Sequence, residues 1–225
     1  MDLKTEKYHW KKGITIIGID EAGRGPLAGP VVASSVMINP EIQTKLLVTK
    51  NNNFKTLLKL TKDSKKLSAQ QREKIFKLIK KIPEIKFTYT FINEKIIDQI
   101  NIEQATFLAM KKSIQELEKK YKLKANLILI DGNRKIPKLN IKQKTIVKGD
   151  NKVFSIALAS IIAKVLRDKK MLALSKKYPQ YHFEIHKGYP TKLHLLLLKK
   201  YGPCKIHRKS YKPVQIIIQK LKTKI

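Results

Sequence analysis

Gly13-Ile14-Thr15-Ile16-Ile17-Gly18-Ile19-Asp20-Glu21-Ala22-Gly23-Arg24-Gly25-Pro26 is the stretch that decides how this chain is read. Ile14, Ile16, Ile17 and Ile19 are β-branched and apolar, the composition of a buried strand. The strand ends in two adjacent carboxylates, Asp20 and Glu21, and a glycine-rich turn with one arginine follows. Acids at the end of a buried strand lose solvation unless positive charge compensates. A divalent cation does so, and an all-oxygen donor set suits magnesium or manganese. Gly23 and Gly25 leave their backbone N–H groups uncovered, so a phosphate or sugar can approach. The stretch therefore points to a metal site beside a nucleic-acid backbone.

Outward from it, Gly29-Pro30-Val31-Val32-Ala33-Ser34-Ser35-Val36-Met37-Ile38 reads as a second strand, antiparallel to the first across a short connection. Residues 1–12 read as a loose polar start, and 39–62 as a surface excursion with a short helix near Phe54–Leu60. Ser68 is placed to cap a helix from about Ala69 to Lys81 that Pro83 stops. Lys86–Phe91 reads as a third strand. Asn93 opens a helical region that continues as a long helix over Ile102–Tyr121.

Asn126–Asp131 is a short apolar run without alternation, suited to a central strand buried on both faces. It too finishes in a carboxylate, although Asp131-Gly132 is also a common turn pair. Thr145–Gly149 reads as a fifth strand, and Asp150 as the cap of a helix over about Lys152–Lys176, more a cap than a ligand. Leu158, Ile161, Ile162 and Val165 form that helix's inward stripe, and Asp168 continues it; the bland alternative pairs Asp168 with Arg167 or Lys164 at the surface. Further helices are expected at Lys192–Tyr201, ended by Gly202-Pro203, and over the amphipathic Val214–Leu221.

Composition bounds the partners. The chain of 225 residues is 42% apolar, enough for a real core. No run of about 18 uncharged apolar residues is present, so no membrane span is expected. The first residues lack the apolar core of a signal peptide, and a single cysteine, Cys204, rules out an internal disulfide and a cysteine-based zinc cluster. A cytoplasmic setting follows as the simplest expectation. The 49 Lys and Arg against 17 Asp and Glu give a net charge of +32, which attracts polyanions; a Lys-, Ile- and Asn-rich genome would raise it without selection for binding. The lysine pairs read mostly as solvated faces. His182, His186, His194 and His207 have no metal spacing with cysteine and read as structural or phosphate-facing.

Asp20, Glu21, Asp131 and Asp168 thus share a logic, because the ends of adjacent central strands converge. Two divalent ions roughly 3.5–4 Å apart would relieve their repulsion and form a phosphodiester cleavage site. Gly18–Val31 resembles the signature of ribonuclease HII. The resemblance extends through Asp63-Ser64-Lys65-Lys66-Leu67-Ser68, Asp131-Gly132-Asn133, Gly149-Asp150 with Ser155–Asp168, His186–Thr191, and Gly202-Pro203 with His207-Arg208-Lys209-Ser210. The blocks keep their order over nearly the whole chain.

The resemblance implies an α/β, ribonuclease H-like fold: a five-stranded mixed sheet flanked by helices, with a catalytic domain over 1–185 and a helical C-terminal extension over 186–225. It implies an endonuclease that hydrolyses the RNA strand of RNA–DNA hybrids and cuts 5′ of single ribonucleotides in duplex DNA, leaving 3′-hydroxyl and 5′-phosphate ends, with a role in ribonucleotide removal. Asp20, Glu21, Asp131 and Asp168 would hold Mg2+ or Mn2+. Gly23, Arg24 and Gly25 would sense the 2′-hydroxyl, Tyr189 would stack on the neighbouring deoxyribose, and Ser64 and Lys65 would hold phosphates. A monomer is expected, with 213–225 as a possible docking tail for a sliding clamp. Two competing readings are a basic nucleic-acid-binding protein without catalysis and a resolvase or integrase of the same fold. Four intact acids speak against the first, and the Gly-Arg-Gly turn with Tyr189 against the second.

Overall fold

A computed structural model describes residues 2–43, 52–61 and 67–223. Strand β1 (Ile16–Ala22) lies at the centre of a five-stranded sheet with β2 (Val31–Ile38), β3 (Ile85–Ile92), β4 (Leu127–Asp131) and β5 (Lys142–Ile146), in the order β3-β2-β1-β4-β5. β1 and β2 are antiparallel, as are β2 and β3; β4 runs parallel to β1, and β5 parallel to β4. The register Ile19↔Ile130 places the next residues, Asp20 and Asp131, side by side at the sheet's carboxyl end. Parallel pairing of two apolar strands that each finish in aspartate is thus what brings these acids together.

Helices cover both faces. On one, α2 (Asn52–Leu60), α3 (Ala69–Lys80) and α5 (Phe154–Ser175) bury Phe54, Leu57, Ile75, Ile79, Leu158 and Ile162 against Val36 and Ile38. On the other, α4 (Glu94–Tyr121) packs Ile97, Ala105, Ala109, Ile114 and Leu117 on Ile17, Ile19, Ala33 and Ile128. Ser68 closes a capping box with Gln71, as its place before the apolar periodicity led one to expect. Asn93 caps Ile96, and α4 kinks at Asn101, whose φ of 64° breaks the helix while its side chain accepts from Glu103 and Gln104. That kink explains why the regular pattern starts at Ile102. The C-terminal part adds the single turn α6 (Phe183–His186), α7 (Lys192–Tyr201) and α8 (Lys212–Lys222).

The structure corrects four local expectations. The start of the chain is a helix, α1 (Lys4–Trp10), held by a buried Glu6 that accepts the Ser155 N–H at 2.8 Å. One acid inside a polar segment gives no periodic signal of this. The 39–62 stretch is not all surface, since Phe54 and Leu57 are fully buried. The last strand is Lys142–Ile146, upstream of the apolar Thr145–Val147 centre, because an exposed edge strand does not need apolar residues. α5 begins at Phe154 behind Val153, and Asp150 sits in the separate 3-10 turn Gly149–Asn151, so it is not the N-cap of α5. Ser64 and Lys65 lie outside the described residues.

The close approach of β1 and α5 depends on Gly18. A Cβ there would lie 2.5 Å from the Ser155 carbonyl carbon, a backbone atom. Gly18→Ala is expected to destabilise the protein by about 2–3 kcal/mol, read as a fall of roughly 4–12 °C in Tm.

Candidate active site

Asp20 is 6% exposed, and its Oδ1 accepts the Glu21 N–H at 2.7 Å. Burial holds its pKa well above the usual carboxylate range; the charges of Glu21 and Asp131 add to this, and the Ser160 hydroxyl on α5 partly offsets it. Burial also raises Glu21; Arg24 opposes the rise and Asp131 adds to it. Arg24 Nη1 stands 3.5 Å from Glu21 Oε1, and the arginine is half exposed, so this pair compensates weakly. Asp131 Oδ1 accepts the Gly149 N–H at 2.6 Å. This bond ties the Gly149–Asn151 turn to the end of β4 and carries Asp150, only 4% exposed, to the same edge of the sheet.

Two recesses flank Glu21. A cleft of about 500 Å³ is lined by Glu21, the turn 22–25, Arg72, Asp150, Ser160, Ile161, Lys164 and Tyr189. A smaller recess of about 330 Å³, on the Asp131 side, includes Asn133, Arg134 and the Glu103 that pairs with Arg134. Asp168 lines neither. It lies one turn beyond Lys164 and receives its ammonium at 2.8 Å, so it holds a lysine of the cleft wall from behind. The inward stripe of α5 packs in the core through Leu158, Ile161, Ile162 and Val165. The acid that the structure does bring to the cleft is Asp150. Its signal in the sequence is its place directly after a glycine that follows β5, masked there by the residue's ordinary use as a cap.

The glycine turn is fixed by two arginines that the sequence reading did not single out, both fully buried. Arg208 donates to the carbonyls of Gly23 at 2.6 Å, Arg24 at 2.9 Å and Gly29 at 3.0 and 2.9 Å. Arg167 donates to those of Ala28 at 3.2 Å and Pro30 at 3.1 Å. Tyr211 adds a hydroxyl bond of 2.7 Å to the Arg24 carbonyl. Burial lowers the Arg167 pKa to about 10, so it stays charged at neutral pH. Gly23 has φ of +99°, and a Cβ on it would strike Arg167 Nε at 2.1 Å; the glycine is required by backbone and by space. Tyr189 stands beside the turn, its ring 3.8 Å from where a Gly25 Cβ would be, with Lys164 Nζ and the Arg167 guanidinium each 5.6 Å from its centroid.

The model for ribonuclease HII matches residues 17–214. The chain belongs to the ribonuclease HII family. A ribonuclease HII of Caldicellulosiruptor saccharolyticus is 48% identical over 210 residues, covering 93% of each chain. One from Endomicrobium trichonymphae is 46% identical over 221 residues, 98% of this chain and 96% of its own. The ribonuclease H2 structure from Pyrococcus horikoshii superposes with a TM-score of 0.71 at 25% identity, over 93% of this chain and 99% of that one. The protein is accordingly a ribonuclease H, and the five-stranded mixed sheet with its flanking and C-terminal helices is this family's fold.

Among the described residues, no three His, Cys, Asp or Glu side chains already converge as a metal centre. Asp131 lies close enough to raise the pKa of both Asp20 and Glu21, yet Asp20 and Asp131 are turned to protein N–H donors and Glu21 to Arg24. The donor set is all-oxygen and anionic, and this fits hard divalent cations. An acid whose pKa is raised on folding weakens the fold as pH rises from its unfolded towards its folded pKa. Asp20→Asn keeps an acceptor for the Glu21 N–H and removes the buried charge. In chelator at pH 7–8 the variant is expected to melt above the wild type, with the gain vanishing towards about pH 4; melting curves across pH check this.

Proposed function

We propose that this ribonuclease H hydrolyses the RNA strand of RNA–DNA hybrids and cuts 5′ of single ribonucleotides embedded in duplex DNA, leaving 3′-hydroxyl and 5′-phosphate ends. The observation that carries the reading is the cleft itself: Glu21 and Asp150, the clamped Gly23–Gly25 turn and Tyr189 line one cavity, Asp20 is hydrogen-bonded to Ser160 of its wall, and Asp131 lines the adjoining recess that shares Glu21. Acids sit next to a glycine turn suited to close contact with a sugar–phosphate backbone.

In this reading Asp20, Glu21, Asp131 and Asp150 hold the metal, and Asp168 serves instead to position Lys164. Held by these acids, two divalent ions, magnesium or manganese, would supply activation of a water and charge neutralisation at the leaving 3′-oxygen. The residues of the chain then do the rest. Arg208, Arg167 and Tyr211 occupy the turn's carbonyls, which keeps the N–H groups of Gly23, Arg24 and Gly25 as donors for the ribose 2′-hydroxyl, the group that separates RNA from DNA. Tyr189 offers a half-exposed ring for the deoxyribose on the 3′ side. Lys164 and Arg72 in the cleft wall, with Ser64 and Lys65, are assigned to phosphates. Residues 186–225 complete the site through Tyr189 and Arg208, which is why we read them as an extension of the catalytic part over 1–185.

We place the enzyme in the cytoplasm, acting as a monomer in ribonucleotide removal during DNA replication and repair. Among the described residues, no helix is long and apolar enough to cross a membrane. A ribonuclease HII of Archaeoglobus fulgidus, whose fold superposes with a TM-score of 0.64 at 25% identity, has been solved in complex with PCNA. Residues 213–225 of this chain, most of them in the amphipathic α8, are the segment we assign to a comparable sliding-clamp contact.

A labelled DNA duplex with one ribonucleotide, beside an all-DNA control, tests the function. One divalent-metal-dependent cut on the 5′ side of the ribonucleotide is expected; equal cutting of the all-DNA duplex would contradict the reading. The acids are tested on the same substrate. Asp20→Asn and Asp150→Asn should each lower kcat at least ~100-fold, or about 2.7 kcal/mol in barrier, with binding retained. Asp168→Asn should stay within roughly tenfold of wild type, since a residue acting through Lys164 costs less than 1.4 kcal/mol. The reverse order of Asp150 and Asp168 would overturn the assignment.

A further inference from the structure

Three buried histidines in the C-terminal part have a single consistent proton arrangement. The Cys204 N–H donates to His207 Nδ1 at 3.0 Å, so that nitrogen carries a lone pair and the proton of His207 is on Nε2. His207 Nε2 faces His194 Nε2 at 3.1 Å, which must accept. The His194 proton is therefore on Nδ1, and it is donated to the carbonyl of Tyr189 at 2.9 Å. His186 follows the same logic: it accepts the Gly188 N–H on Nδ1 at 3.1 Å, donates from Nε2 to the Tyr181 carbonyl at 2.8 Å, and stacks on His194 with centroids 4.3 Å apart. Every ring nitrogen in the cluster has a partner only if all three imidazoles are neutral.

We propose that His194 and His207 are positioning residues of this enzyme: a buried relay from Cys204 through His207 and His194 to the Tyr189 carbonyl fixes the cleft tyrosine relative to the glycine turn, and so sets the gap that a ribonucleotide and its 3′ neighbour must fill. The proposal rests on the reading in which Tyr189 meets the substrate.

The segment around His207 is what makes this more than local packing. His207 is bridged to Ala28, Gly29 N–H donates to the Ile206 carbonyl at 2.8 Å, and Arg208 N–H donates to the Leu27 carbonyl at 2.8 Å. The next side chain, Arg208, clamps Gly23 and Arg24. One short stretch thus grips the turn directly and Tyr189 through two imidazoles. The backbone of Tyr189 is held at both ends, its N–H by the His186 carbonyl at 2.9 Å and its carbonyl by His194. Desolvation keeps the relay neutral: burial, with a smaller contribution from the neighbouring histidines, pushes His194 down to about 4 and His207 to about 3. Tyr181 and Phe183 close the cluster, their rings 5.0 and 5.7 Å from that of His207. A chain of hydrogen bonds in such a dry site is stiff, and it loses its geometry when one member is removed.

The test is steady-state cleavage of the single-ribonucleotide duplex with folded variants. His194→Phe should raise KM about tenfold and leave kcat within about threefold, the pattern of lost substrate positioning with the metal site intact. His194→Asn, whose amide can take the place of Nδ1–H, should return KM to within about threefold of wild type. Tyr189→Ala should raise KM similarly, and the double variant with His194→Phe should be little worse than either single one. An unchanged KM in a folded His194→Phe protein, or effects that multiply, would overturn the proposal. Nitrogen-15 imidazole spectra of the wild type provide a readout independent of activity and of whether the variants fold. They should show His194 protonated on Nδ1 and His207 on Nε2, unchanged down to about pH 5; any other tautomer pair would overturn the relay. If the wild type leaves the ribonucleotide duplex uncut, the proposed function fails, and the spectra still decide whether the relay exists.

Discussion

The constraint on which this molecule turns is the buried negative charge at the carboxyl end of β1. Asp20 is nearly excluded from solvent and repelled by Glu21 and Asp131, so its ionised form is costly. The large positive charge of the chain does little to relieve this, because lysines on a solvated surface are screened from a buried site. Arg24, which pairs with Glu21, is half exposed and so compensates weakly. The parallel β1–β4 register enforces the arrangement, since the two apolar strands cannot slip by one residue without turning their buried side chains to the wrong face. The fold thus concentrates negative charge at this edge of the sheet, and a divalent cation is its natural complement.

Around that charge the chain uses buried positive and neutral groups for shape. Arg167 and Arg208 come from α5 and from the segment before α8, far apart in sequence, and converge on the carbonyls of residues 23–30. A buried guanidinium with its donors satisfied is tolerated where an unpaired one is not. The Gly23 and Arg24 carbonyls are thereby satisfied within the protein. The neutral histidine cluster extends the same principle to Tyr189. The Gly23–Arg24 turn and Tyr189 are therefore held by one continuous hydrogen-bonded framework.

The sheet and its acids were legible because their signals are local: β-branched runs that end in Asp20 and Asp131, a serine before a helical period, glycines after carboxylates. Helix starts at Ala69, near Ile102 and at Lys192 followed from caps and periodicity. Other features were not legible for physical reasons. Glu6 and the two arginines are buried polar groups whose partners are backbone atoms more than a hundred residues away, so no local pattern marks them. α5 is buried on most of its circumference, so its periodicity does not mark one narrow inward face. Asp150 had a bland role at hand as a helix cap, and only the Gly149–Asp131 bond shows that its turn is docked against the acids. The edge strand β5 was misplaced because exposure frees it from the apolar composition that defines the central strands.

The most direct test of the central claim is calorimetric titration of the metal-free protein with Mn2+ at several pH values, in paired buffers of different ionisation enthalpy. If Asp20 and Glu21 are held at raised pKa by burial and by the neighbouring acids, binding must release protons in weakly acidic solution. Affinity must then rise with pH across that range and fall in Asp20→Asn. Binding without proton release, at the same affinity in Asp20→Asn, would contradict the account.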